Sequence, residues 1–205
     1  MRRVALIVLL SITALAGDDK DKSHFAPGPA SSYPAHQTLD KITIAAVPFT
    51  SEEQARLAFG KANPNRYGVL PVLVIMENGT GKALRLDLQA EYIDPGNRHV
   101  EATPASDILY VGTDVKRPRI PGTSPIPLPS RNKKGPLNTW EIEGRAFNAK
   151  MLPADGSVYG FFYFQTEPIP GSKIYLTGVK DAASGQDYFY FEIPLDKTLD
   201  KTNDK

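Results

Sequence analysis

The sequence predicts a mostly β protein, an antiparallel β-sandwich with one or two short helices. Two observations lead there: short runs in which apolar residues recur at every second position, and clusters of Gly, Pro, Asn and Asp between those runs. A third points the same way. No long amphipathic helices alternate with the runs, as a parallel βαβ fold would require, so the strands are left to pack sheet on sheet.

The chain opens with Met1-Arg2-Arg3, a mostly apolar stretch over 4–15, and the small residues Ala14 and Ala16 two positions apart. A short positive region, an apolar core and a peptidase site in that order read as a secretory signal peptide over 1–16. The apolar stretch is roughly a dozen residues, short of the about 20 that a helix needs to cross a bilayer, so no membrane span is expected once the leader is removed. Asp18 follows Leu15-Ala16-Gly17 where a lipid-accepting cysteine would stand, which removes the lipoprotein reading. The expected address is the periplasm or the outside. Residues 17–38 begin with Asp18-Asp19-Lys20-Asp21-Lys22 and continue through Pro27-Gly28-Pro29, Ser31-Ser32 and Pro34, a composition that predicts a disordered tether.

The globular body is expected over 39–195. Residues 41–47 alternate polar and β-branched and form a first strand that Pro48 ends. Thr50 with Glu53 makes a capping box for a short helix whose apolar side is Ala55, Leu57, Ala58 and Phe59. A nearly all-apolar strand over 69–76, the turn Asn78-Gly79-Thr80-Gly81 and an alternating strand over 84–93 predict a hairpin. Pro71 belongs at an edge or at the start of its strand, because it lacks an N–H for the ladder. Asp94-Pro95-Gly96-Asn97 turns the chain into a short strand over 99–102. Around 139–147, Trp140, Gly144 and Phe147 are helically spaced, with a strand ending at Leu152 as the competing reading. Residues 158–165 are apolar on both faces, 173–179 alternate, and 188–193 return with Phe189, Phe191 and Ile193 on one face and Tyr188 and Tyr190 on the other. Residues 196–205 form a polar tail.

The strand Gly68-Val69-Leu70-Pro71-Val72, the Asn78-Gly79 turn, and Met151-Leu152-Pro153 leading through a turn into Gly160-Phe161-Phe162 together resemble exported bacterial immunoglobulin-like domains of uncharacterised families. The resemblance covers residues 40–195. It implies a fold class and an extracytoplasmic address, and it carries no functional residue.

Chemistry is scarce in the sequence. With no cysteine there is neither a disulfide, a thiolate metal site nor a cysteine nucleophile. The histidines are His24 and His36 in the tether and His99 beside a turn, and no serine sits in a G-x-S-x-G elbow. The expectation is a protein that is not an enzyme and holds no cofactor or metal. A leader carrying two of the 24 basic residues leaves the remainder near neutral against 23 acidic ones, which gives nucleic acid nothing to bind.

Two candidate surfaces remain. Residues 116–136 carry Lys116, Arg117, Arg119, Arg131, Lys133 and Lys134, no acidic residue, and six prolines that keep the chain extended. This is either an arm that docks on an anionic polymer or an envelope protein, or a stiff crossover between two sheets. Tyr159, Tyr163, Tyr175, Tyr188 and Tyr190 come from three neighbouring strands and form either a face for a partner or a glycan, or part of the core. The leading reading is a binding or accessory module for another envelope component, with a carbohydrate-binding module as the alternative. A mixed apolar and basic patch would mark the first, and two or three coplanar exposed rings the second.

Overall fold

The computed structural model describes residues 25–112 and 135–195. The leader 1–16, all six basic residues of the proline-rich segment and the tail 196–205 lie outside the described residues.

The described chain is a β-sandwich with a helical layer on one side. β1 (His36–Leu39), β2 (Ile42–Pro48), β3 (Leu70–Asn78) and β7 (Ser157–Phe164) form the first sheet in the order β1-β2-β3-β7. β5 (His99–Glu101), β4 (Leu84–Ile93), β8 (Lys173–Asp181) and β9 (Tyr190–Pro194) form the second, with β6 (Met151–Leu152) paired to β4. All these ladders are antiparallel. Three helices, α1 (Glu52–Phe59), α2 (Ala105–Ile108) and α3 (Trp140–Gly144), lie on the outer face of the first sheet.

The unbroken apolar run of β3 follows from this layering. Leu70, Val72, Val74 and Met76 face the second sheet and meet Leu84, Leu86, Tyr92, Leu176 and Phe191. Val69, Leu73 and Ile75 face the other way, onto Ala55, Ala58 and Phe59 of α1 and Ile142 of α3. A strand covered on both faces has no polar side to show, whereas β4 and β8 alternate because the second sheet is covered on one face only. Pro71 sits at the start of β3, beyond the point where β2 has ended its pairing at Pro48.

Several expectations are corrected. Residues 25–38 are not a loose tether: Ala30 and Ala35 are buried, Phe25 packs on Phe49 and Phe161, and β1 begins at His36. The Asn78-Gly79 turn does not close a hairpin. β3 and β4 belong to different sheets, and the buried Asn78 amide donates to the carbonyls of Lys82 (2.7 Å) and Pro153 (2.8 Å) to fix the corner between them. The true cap of α1 is Ser51, with Gln54 returning the hydrogen bond. Ala55, Ala58 and Phe59 are that helix's buried face, and Leu57 falls off it into solvent. Phe189 also leaves its expected place: its backbone is left-handed (φ 58°), which breaks the alternation, turns Tyr188 toward the core and leaves Phe189 77% exposed.

The 139–147 segment is helix first and extended chain after. α3 ends at Gly144, and Arg145 to Phe147 then run beside β7, with Phe161 N–H donating to Arg145 O (2.8 Å) and Phe147 N–H to Phe161 O (3.0 Å). Gly160 permits this close pass, because a Cβ there would lie 2.5 Å from the Phe147 Cα.

Candidate functional site

The five tyrosines do not form one face. Tyr163 is buried under α3, and its hydroxyl donates to Ile142 O at 2.7 Å. Burial raises its pKa well above the usual phenol value, against the pull of Arg145. Tyr188 packs half-buried against the sandwich core. Tyr159 lies on β7 in the first sheet, while Tyr175 and Tyr190 lie on β8 and β9 in the second. The last two are diagonal neighbours whose rings stack 5.3 Å apart at 28°, so each covers one face of the other and they give no flat side-by-side platform. Beside them the outer face of the second sheet is charged, with Lys173 paired to Glu192 (3.0 Å) and His99 hydrogen-bonded to Glu91 (2.7 Å).

The apolar surface gathers on the helical side instead. Trp140 is 67% exposed, Leu57 53% and Tyr159 49%, and all three line one cleft of about 540 Å³ together with Phe25, Arg56 and Arg145. Each is held by its own local cause. Leu57 is off the buried stripe of α1, because positions 55, 58 and 59 already face the sheet. Trp140 starts α3, and its ring lies over Gly144, where a Cβ would come within 2.9 Å of the indole. Tyr159 is in the first, less covered half of β7, and its hydroxyl donates to Phe25 O at 3.2 Å. The Arg145 guanidinium sits over the Phe25 ring, 5.1 Å from its centroid. Its Nε is buried with no hydrogen-bond partner, and neither Arg56 nor Arg145 makes an ion pair among the described residues. Among the described residues the cleft is thus aromatic and apolar, with two cations outside any ion pair and Glu141 as its one carboxylate.

Sequence reasoning missed this site. Its residues come from four separate stretches of chain, and no local pattern marks them. The one available signal was Trp140, the single tryptophan of the chain, placed at a helix start where nothing in the sequence required a large apolar ring.

Among the described residues no group of three or more His, Asp or Glu side chains is placed to hold a metal ion. No described helix is long and apolar enough to cross a membrane. Fold and surface together define a sandwich domain with a mixed apolar and basic cleft on its helical layer. No protein-family model matches the chain, and neither does any curated protein.

Proposed function

We propose that the chain is an exported, non-enzymatic binding or accessory module of immunoglobulin-like type that docks on another envelope component through its helical side. The observation that carries this reading is the grouping of Trp140, Leu57 and Tyr159 with Arg56 and Arg145, which make no ion pair among the described residues. Tryptophan, tyrosine and arginine are the residues that anchor protein interfaces, because each combines a large contact area with a polar group. The two cations select a partner surface that is apolar at its centre and acidic at its rim. The proline-rich basic segment lies in the chain between α2 and α3 and adds charge of the same sign to such an encounter.

The test is crosslinking of the mature protein in its own envelope fraction, comparing wild type with Trp140→Ala/Leu57→Ser. Both side chains are exposed, so the melting temperature should hardly move. The expected result is loss of one defined, salt-sensitive protein partner in the double variant. Unchanged recovery of that partner would place the docking face elsewhere, and recovery of glycan alone would favour the carbohydrate-binding alternative.

A further inference from the structure

A second opening adjoins the first, with Ala146 lining both. The chain leaves the second sheet after β5, where Ala102 N–H donates to Ala90 O of β4 (2.9 Å), and reaches the first sheet one residue later, where Thr103 N–H donates to Tyr163 O of β7 (2.7 Å). It returns further along the same two strands. Phe147 bonds to β7, and Lys150 O accepts from Leu86 N–H of β4 at 2.9 Å. Two crossings therefore bridge the same open side of the sandwich, and the stretch of β4 between them has neither β5 nor β6 beside it.

Between the crossings lies a cleft of about 670 Å³. Its apolar wall is Leu88, Phe147 and Phe162, the last two stacked 5.3 Å apart at 15°, and all three pack against the sandwich core. Among the described residues that line it, the charged ones are Glu91, Glu101 and Glu143, the first two cross-strand neighbours on the outer face of the second sheet where it borders the cleft, and none is Lys, Arg or His. Glu91 is hydrogen-bonded to His99, whereas Glu101 and Glu143 make no ion pair among the described residues.

We infer that this cleft binds a small amphiphilic amine, a protonated or quaternary nitrogen on an apolar body. The size is that of a small-ligand site, for which about 300–1,000 Å³ is usual, and it is too small for a folded partner. The stacked rings and Leu88 give an apolar body a surface continuous with the core. The carboxylates supply the sign: they attract a cation, leave a neutral analogue without a partner and repel an anion. The site adjoins the Trp140 cleft at Ala146, which lines both, and is opposite to it in charge, so its ligand differs in chemistry from the docking partner proposed above.

The test is an NMR-monitored titration of the full chain with phenethylamine, phenethyl alcohol and phenylacetate, which share one apolar body. The amine should bind with amide shifts at Leu88, Ala102 and Phe147, the alcohol more weakly, and the phenylacetate not at all. Glu101→Gln/Glu143→Gln should weaken the amine about tenfold and leave the alcohol unchanged. Both glutamates are exposed, so the fold should survive, which the melting temperature checks. Equal affinity for the amine and the alcohol would overturn the inference, as would no binding of any of the three, an unchanged affinity in the double variant, or shifts confined to another surface.

Discussion

Asp181 ends β8 almost fully buried, and three groups hold its charge. The Ser184 N–H (2.8 Å) and the Ala183 N–H (2.9 Å) both donate to Oδ1, and the Lys82 ammonium lies 3.2 Å from Oδ2. The Ser184 N–H, then the Lys82 ammonium, bring its pKa down from 3.8 to about 2. A depressed folded-state pKa contributes stability that is complete above the ordinary value and is lost as the pH falls through it. The melting temperature should therefore drop between pH 3.8 and about pH 2, and Asp181→Asn should flatten that part of the profile while lowering the neutral-pH value. An acid limb identical in the two proteins would show that the charge is not held this way. The turn at 182–185 was legible from its small residues, but the role of Asp181 was not, because its partner Lys82 is almost a hundred residues away in sequence. The tyrosines teach the same lesson. Tyr159 and Tyr163 share a face of β7 by simple alternation, yet one is exposed and the other buried, because α3 covers only the second.

At the level of elements, β4 and β8 meet through a bulge. Leu86 pairs with Val179 and Gln89 with Thr177, so Asp87 and Leu88 stand opposite Gly178 alone. Gly178 has φ 89°, and a Cβ there would lie 2.1 Å from the Asp87 carbonyl oxygen. Gly178→Ala must push the two central strands of the second sheet apart, and it should cost about 3 kcal/mol by chemical denaturation, the upper range for a single substitution. A loss below about 1 kcal/mol would mean that the ladder shifts freely at this point. Strand existence was readable here because alternation is a local property, and the 84–93 and 173–179 runs are strands. Sheet membership was not readable. Asn78-Gly79 is a hairpin signal by residue type, but β3 has both faces buried and β4 only one, so the two strands belong to different sheets and the turn becomes a corner.

At the scale of the whole molecule, the described residues form three layers, with helices on one sheet and that sheet on a second. This order decides which surface is free to bind. The outer face of the second sheet carries paired charges and a self-stacked tyrosine pair, while the helical layer leaves an apolar cleft with two arginines that make no ion pair among the described residues. A sequence can announce a sandwich through its periodicity. It cannot announce where four distant stretches converge, which is why the tyrosines were visible as candidates and the Trp140 cleft was not. The central claim is that the helical side is the docking face, and the single tryptophan makes it directly readable. The decisive measurement is the fluorescence of Trp140 as the protein is titrated with the partner recovered by crosslinking. Free protein should emit near the water-exposed limit, and saturation should shift the emission to the blue, with iodide quenching suppressed and both changes reversed by added salt. An unchanged emission at saturating partner would place the interface elsewhere and contradict the account.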